Sequence, residues 1–164
     1  MAGHFVACYP PEFPQWQKGM IVTQEEAIQA GLELVNHSQT AMLSTIGDEG
    51  YPHIRAMLKK ETEGLKTFWF STNTSSSKVP QIQQNPEACV YFVDGEQCTG
   101  LMLVGEIDVL QDMASKRRLW YEGDEKYYPL GVNDPDYCVL CFRAKSGKFY
   151  RSLQNVAFDL EDEG

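Results

Sequence analysis

Residues 40–72 read TAMLSTIGDEGYPHIRAMLKKETEGLKTFWFST, and this stretch decides the fold class. It contains three strand-like runs, TAMLSTIG, YPHIRAMLKK and LKTFWFST, separated by the turn sequences GDEG and ETEG. Strand-like runs joined by turns this short predict an antiparallel meander. The chain is therefore expected to be mainly β.

More strand-like runs follow the meander. They are EACVYFVD (87–94), TGLMLVGEIDVL (99–110) and a final pair, YCVLCFRAK (137–145) and KFYRSL (148–153), which we expect to be separated by the dipeptide SG. Six or seven short strands predict an antiparallel barrel, because closing a sheet removes its unpaired edges. The pattern favours a barrel over a sandwich without excluding the sandwich.

Helical patterns flank these strands and complete an α+β composition. Thr23 and Glu26 form a capping-box pair ahead of a helix expected from about Gln24 to Asn36. A short helix is expected to end before the Asn85-Pro86 dipeptide, and an amphipathic helix is expected within residues 112–123. These helices are expected to lie outside the barrel.

The length of 164 residues suits a single domain that spans residues 1–164. Residues 1–20 are rich in proline and aromatic residues and predict an irregular arm, and the acidic tail 158–164 predicts disorder. The net charge of −9 disfavours a nucleic-acid or anionic membrane partner. Five cysteines and an N-terminus without a signal-peptide pattern predict a cytoplasmic protein with reduced thiols.

The hydroxyl-rich stretch STNTSSSK (71–78) lies between an aromatic strand and the start of a helix. A helix start offers unpaired N–H groups, and hydroxyls with Lys78 would complete a cradle for a phosphate. The alternative is a solvated loop whose hydroxyls only cap the helix. Arg55, on the preceding strand, favours the phosphate site, because a guanidinium offers a forked donor that matches phosphate geometry.

The segment from Arg55 to Lys78 resembles the flavin-binding segment of the pyridoxamine 5'-phosphate oxidase superfamily. There an R-x-x-L-x-K strand precedes an aromatic strand and a T-N-x-x-S-x-K loop, and RAMLKK (55–60) and TNTSSSK (72–78) match both motifs. YPLG (128–131) and DPDY (134–137) resemble the Y-P-x-G and D-P-D-Y motifs of its general stress protein branch. The resemblance covers roughly residues 40–150.

This resemblance implies a six-stranded antiparallel split β-barrel of the FMN-binding type, working as a homodimer with FMN at the subunit interface. The phosphate would be held by Arg55, Ser76, Ser77 and Lys78, although the oxidase usually carries arginine at the position of Ser77. The ribityl chain and ring would contact a second set of residues, in which Lys60 takes the place of the family's lysine near the ring. This second set is Ala56, Met57, Lys60, Ser71 and Thr72.

The expected function is that of an FMN-dependent oxidoreductase with an unknown substrate and a nicotinamide nucleotide or another small molecule as reductant. The true oxidase also has C-terminal tryptophan and arginine motifs that hold the phosphate of its vitamin substrate, and this sequence shows neither. Pyridoxamine phosphate is therefore not the expected substrate. The alternatives are a protein that binds flavin, haem or a deazaflavin without turnover, a stress-response protein, and a dimeric interaction module without a ligand.

Two other signals are given no functional role. Cys138 and Cys141 have a C-x-x-C spacing, but residues three apart on a strand point to opposite faces, so no disulfide or metal site is expected from them. The three histidines, His4, His37 and His53, lie on separate predicted elements and predict no metal site.

Overall fold

The computed structural model describes residues 23–160, and seven antiparallel strands form their single sheet. The predicted meander is confirmed as the first three strands, and the two runs predicted after it are also strands. The strands are β1 (Thr40–Ile46), β2 (Pro52–Glu63), β3 (Thr67–Asn73), β4 (Glu87–Asp94), β5 (Thr99–Leu110), β6 (Tyr137–Arg151) and β7 (Gln154–Asp159).

The described helices are short except for the first. The capping box is present, since the Thr23 hydroxyl accepts from the Glu26 N–H while the Glu26 carboxylate accepts from the Thr23 N–H. The predicted start of the first helix is confirmed, and its end lies one residue beyond the prediction. The helices are α1 (Gln24–His37), α2 (Lys78–Gln84) and α3 (Met113–Arg118), with 3-10 turns at Asp124–Lys126 and Gly131–Asn133.

Six of the strands close into a barrel. The strand order is β3-β2-β1-β4-β5-β6-β7, and an additional β3–β6 ladder joins the two ends of the six-stranded part. The first half of β6 pairs with β3 and its second half pairs with β7, so β7 is added outside the closed barrel. The predicted six-stranded antiparallel split barrel is confirmed.

The split lies between β2 and β3. Their ladder runs only from the pair Lys59 and Phe70 to the pair Glu63 and Thr67. Beyond it, β2 continues toward Pro52 paired with β1, and β3 continues to Asn73 paired with β6. The two strands therefore separate and leave an opening where each lacks a neighbour on one side.

Two hydrophobic clusters hold this arrangement. The larger one fills the barrel and includes Leu43, Phe68, Phe92 and Phe142, all essentially inaccessible, with α1 packed against it. Burial of aromatic and aliphatic side chains is the main stabilising contribution to such a domain. A second cluster lies outside the barrel, where residues 110–139 fold back over Trp69 of β3.

Three boundaries differ from the sequence prediction. The final pair of runs is one strand, β6, and the SG dipeptide is no turn, because Ser146 and Gly147 pair with β5 and β7. The strand that follows, β7, was missed, and its Phe158 is buried although it belongs to the predicted disordered tail. The third helix is shorter than predicted and ends at Arg118.

Other predictions concern features outside the described residues. The arm 1–20 and residues 161–164 of the tail lie beyond residues 23–160. Within the described range no helix is long and apolar enough to cross a bilayer. The cytoplasmic location stays a prediction.

Candidate functional site

The opening between β2 and β3 forms a cleft of about 240 Å³. Its remaining wall comes from the 3-10 turn that begins at Asp124 and from the tyrosines after it. Five of the nine predicted cofactor-binding residues line this cleft. The lining residues are Ala56, Met57, Leu58, Lys60, Ser71, Thr72, Asn73, Asp124, Tyr127 and Tyr128.

Two cations, Arg55 and Lys78, lie at the boundary of the cleft. Arg55 points to the same side of β2 as Met57, which lines the cleft. Lys78 Nζ donates at 2.9 Å to the hydroxyl of Thr72, another lining residue, and at 2.9 Å to the Ser76 hydroxyl. Burial lowers the pKa of Lys78, and the nearby Arg55 guanidinium lowers it further. Within residues 23–160 no carboxylate forms an ion pair with either cation, so their charge is available to an anion.

Neutral side chains hold Arg55 in place. Arg55 Nη1 donates to the Thr45 hydroxyl at 2.6 Å, and Arg55 Nη2 donates to Gln81 Oε1 at 3.2 Å. Thr45 and Gln81 are both buried, and the Thr45 hydroxyl donates to Gln81 Oε1 at 2.8 Å. Because three of the five guanidinium N–H groups are not used in these bonds, Arg55 is oriented and still able to bind a ligand.

Asp136 holds the hydroxyl-rich loop. Its carboxylate accepts from Asn73 Nδ2 at 2.8 Å and from the Ser75 N–H at 2.7 Å, and its carbonyl oxygen accepts from the Thr74 N–H at 2.7 Å. The bond from Asn73 and those from Ser75 lower the pKa of Asp136. The DPDY motif therefore fixes the backbone of the loop that leads to Lys78.

The loop hydroxyls do not act as helix caps. Ser77, the N-cap of α2, makes no side-chain capping bond, and the Ser76 hydroxyl accepts from Lys78 instead. This observation is at odds with the alternative in which the hydroxyls only cap the helix. Because α2 has only seven residues, the positive charge available to a phosphate comes from Arg55 and Lys78 and not from a long helix.

Lys60 is paired inside the cleft. Its ammonium contacts both carboxylate oxygens of Asp124, at 2.7 and 2.8 Å, and lies 4.5 Å from the centre of the Tyr121 ring. The Asp124 carboxylate also accepts from the Tyr121 N–H at 2.9 Å. The pair ties residues 121–124 to β2 and offsets the charge of Lys60.

Polar groups of the cleft remain for a ligand. The Ser71 hydroxyl is buried and has no hydrogen-bond partner among the described residues, which is rare in a folded protein. Burial, as the largest cause, raises the pKa of Tyr128 to about 12, so its phenol keeps its proton at neutral pH. The cleft therefore presents the hydroxyls of Ser71 and Tyr128, with the cations Arg55 and Lys78 beside it.

The structure brings together most residues that the sequence indicated. The predicted residues that line the cleft are Ala56, Met57, Lys60, Ser71 and Thr72. Three more lie at its boundary, namely Arg55, Ser76 and Lys78, and Ser77 is exposed beside them. Sequence reasoning missed Thr45, Gln81 and Asp124, which orient or neutralise the predicted cations. The DPDY motif was part of the family resemblance, but the bonds from Asp136 to the loop 71–78 were not predicted.

The two cysteines of the C-x-x-C pair diverge, as predicted. Both are buried free thiols. Cys141 packs in the outer cluster with Trp69, whereas Cys138 lies on the opposite face of β6 and contacts the Thr72 carbonyl oxygen. The two thiols therefore do not form one redox site.

Sequence comparisons identify relatives of this chain. The sequence profile of a family described as pyridoxamine 5'-phosphate oxidase like matches residues 26–161. The pyridoxine/pyridoxamine 5'-phosphate oxidase of Legionella pneumophila is 42% identical over 57 residues, which are 35% of this chain and 26% of the oxidase. The matched stretch thus spans about a quarter of the oxidase's length.

Solved structures show the same fold. A protein from Clostridium acetobutylicum, related to general stress protein 26 of B. subtilis (pyridoxinephosphate oxidase family), has a TM-score of 0.78 and 48% identity, covering 84% of this chain and 97% of that chain. A pyridoxamine 5'-phosphate oxidase-related, FMN binding protein from Nostoc punctiforme has a TM-score of 0.60 and 16% identity, covering 88% and 95%. At that identity the second likeness shows the fold alone.

Proposed function

Because the chain belongs to the pyridoxamine 5'-phosphate oxidase-like family, in the group related to general stress protein 26, we propose that it binds FMN in the cleft between β2 and β3. The observation that carries this proposal is the pair of cations, Arg55 and Lys78, beside a cleft with an unsatisfied hydroxyl. A phosphate monoester is a fitting partner for two cations that no described carboxylate neutralises. The protein from Nostoc punctiforme that shares this fold is an FMN binding protein.

The phosphate end is formed by charge-assisted donors. Arg55 offers its remaining N–H groups, and Lys78 offers an ammonium held by Thr72 and Ser76. A bound phosphate would accept from both cations and from the hydroxyls of Ser76 and Ser77, as the sequence predicted. Since these donors are already oriented, little conformational entropy is lost when the phosphate binds.

The ring end is formed by the opening itself. β2 and β3 lack a neighbour there, so the backbone groups of Ala56, which face away from β1, can bond to the polar edge of the ring. Met57 lines the cleft while its own backbone faces β1, and Ser71 and Thr72 can bond to the ribityl hydroxyls. The Tyr128 phenol, which keeps its proton, adds a donor. When bound, FMN supplies hydride or electron transfer, while the protein orients it and excludes water.

A homodimer is part of this proposal. Large apolar side chains are exposed on the outer side of four adjacent strands and form an apolar face, interrupted by Thr40 and Ser44, that a second copy of the chain would cover. Leu58 belongs both to this face and to the cleft, so a partner on the face would complete the flavin site. The members of the face are Met42, Ile54, Leu58, Val93 and Val104.

Sedimentation tests the homodimer. The substitution Ile54→Glu is expected to shift a wild-type dimer to monomer at micromolar concentration, because it places a charge in an apolar interface. Leu153→Glu serves as the control, since Leu153 is fully exposed and lies outside the apolar face. A wild-type protein that sediments as a monomer would remove the dimer from the proposal.

For turnover, we propose an oxidoreductase that takes electrons from a nicotinamide nucleotide or another small reductant. FMN-loaded protein is expected to oxidise NADH or NADPH when an electron acceptor is present. Binding without such turnover would favour the flavin carrier that the sequence left open. Visible absorbance of the purified protein separates flavin from haem or a deazaflavin, because their spectra differ.

FMN binding is tested by fluorescence titration with FMN and with riboflavin, which lacks the phosphate. Wild-type protein is expected to bind FMN more tightly than riboflavin, and Arg55→Ala is expected to weaken FMN roughly tenfold to a hundredfold, the value of a charge-assisted bond. The same substitution is expected to leave riboflavin nearly unaffected. Arg117→Ala, an exposed arginine of α3, is the control. Equal weakening of both ligands, or no saturable quenching by FMN, would refute the assignment.

A further inference from the structure

A chain of hydrogen bonds connects the β1–β2 turn to Arg55. The Glu49 carboxylate contacts His53 Nε2, and His53 Nδ1 lies 3.1 Å from Gln81 Nε2. On its other side, Gln81 Oε1 accepts from Arg55 and from Thr45. Gln81 is only 8% exposed, so water can replace little of the hydrogen bonding that these partners give its amide.

The donor and acceptor roles in this chain follow from Arg55. A guanidinium only donates, so the oxygen of the Gln81 amide has to face Arg55, and its NH₂ group then faces His53. His53 Nδ1 must therefore accept, which requires a neutral imidazole that carries its proton on Nε2 and donates it to Glu49. The anchoring of Arg55 thus depends on the protonation state of His53.

We propose that Gln81 and His53 are positioning residues for Arg55, and that protonation of His53 weakens binding of the FMN phosphate. The inference rests on the proposed function, since it concerns how the phosphate site is held. Neither residue needs to touch the ligand.

Protonation of His53 would make the side-chain amide of Gln81 rotate, so that its oxygen and its NH₂ group exchange places. A protonated His53 presents an N–H at Nδ1 toward the NH₂ group of Gln81, and two donors cannot bond to each other. Rotation of the amide satisfies His53 but turns the NH₂ group toward Arg55, which then loses an acceptor. Arg55 is left with Thr45 as its remaining anchor and is no longer held in one orientation.

The charges around His53 do not outweigh this effect. Among the described residues, the groups that face His53 are the Glu49 carboxylate from the turn and two neutral side chains, Thr45 on β1 and Gln81 on α2. The cations Arg55 and Lys78 lie farther away, beyond Gln81. A positive imidazole would attract phosphate at long range. His53 is 40% exposed and in contact with the Glu49 carboxylate, so its added charge is screened and largely offset.

The test compares the pH dependence of FMN affinity in wild-type protein and in His53→Asn. The amide oxygen of an asparagine can accept from Gln81 as Nδ1 does, but it does not titrate. From about pH 8 to about pH 5.5, wild-type affinity is expected to fall roughly tenfold more than that of the variant. The phosphate of FMN itself titrates near pH 6, but equally in both proteins, so it cancels.

Two further proteins sharpen the comparison. Gln81→Met is expected to lose the pH dependence that is specific to wild type, because a thioether carries no amide whose rotation could link the state of His53 to Arg55. His37→Asn, in the last turn of α1, is the control and is expected to keep the wild-type profile. Riboflavin affinity is expected to show no such difference among the four proteins.

The outcomes separate the inference from the proposed function. A steeper acid loss in wild type and His37→Asn than in the other two variants supports the inference. Identical profiles in wild type and His53→Asn, with FMN still bound, overturn it while the FMN site stands. No saturable FMN binding by wild type at any pH overturns the proposed function and the inference together.

Discussion

The ion pair between Lys60 and Asp124 is the interaction whose removal gives the clearest expected loss of stability. Asp124→Asn preserves the shape of the side chain and removes its charge, which leaves the Lys60 ammonium in the cleft without a counter-charge. The side chains of Lys60 and Asp124 are 14% and 11% exposed, so the pair lies much closer to the buried limit than to the surface limit. Water can therefore replace little of the stabilisation that the Asp124 carboxylate gives to the Lys60 ammonium.

The magnitude follows from these values. Breaking a fully buried pair costs about 3–5 kcal/mol, and an exposed pair is worth about 0–1 kcal/mol, so we expect a loss of about 2–3 kcal/mol for Asp124→Asn. For a domain of this size such a loss lowers the melting temperature by roughly 5–10 °C. Lys60→Met is expected to destabilise the protein by a similar amount, because it leaves the carboxylate with the Tyr121 N–H as its remaining partner.

Urea unfolding of wild type, both single variants and the double variant gives the coupling free energy of the pair. We expect about 1.5–2 kcal/mol for Lys60 with Asp124. The matched control is the pair of Arg118 and Glu61, which has a similar distance of 2.8 Å but side chains that are 50% and 31% exposed. If the coupling of Lys60 with Asp124 is no larger than that of the control pair, the reasoning from burial is wrong.

Three more predictions concern the loop, the barrel and the thiols. Asp136→Asn is expected to lower the hydrogen-exchange protection factor of the Ser75 amide, and in wild type the same loss of protection, relative to the intrinsic rate at each pH, is expected at acid pH. The loop's bonds lower the pKa of Asp136, so its contribution is complete above the ordinary carboxyl pKa of about 3.9 and disappears as pH falls through the lower folded value. Gly105→Ala is expected to cost about 2–3 kcal/mol in urea unfolding, because a Cβ there would overlap the backbone of β6, whereas Gly95→Ala, with open space around it, is expected to be nearly neutral. Since burial raises the pKa of Cys138 and of the other thiol of the C-x-x-C pair, a thiol reagent at neutral pH is expected to label neither in the folded protein; labelling before unfolding would contradict this.

The amino-acid sequence determined the strands of the meander, the first helix and the family. Alternation and turn residues act over a few positions, so β1, β2 and β3 could be located without coordinates. Local sequence predicted a turn at Ser146-Gly147, because a serine-glycine dipeptide is typical of turns, and this prediction was wrong. The extended geometry of this dipeptide is decided by pairing with β5 and β7, which are distant in sequence or were not recognised.

The same distinction applies to the candidate site. Arg55, Lys78 and the hydroxyl loop were identified from residue type and spacing, because the donors suited to a phosphate are few in an acidic chain. Their partners were not, since Gln81 and Asp124 lie 26 and 64 residues from the cations that they contact. Nothing local marks a glutamine as the acceptor for a guanidinium or an aspartate as the counter-charge of a lysine.

The sequence by itself thus determined which groups can bind an anion and which segments are strands, because both depend on residue type and short spacing. Only the tertiary structure decided where β2 and β3 separate, which carboxylate neutralises Lys60 and which amide orients Arg55. These features depend on closure of the barrel, which brings remote segments within hydrogen-bond distance.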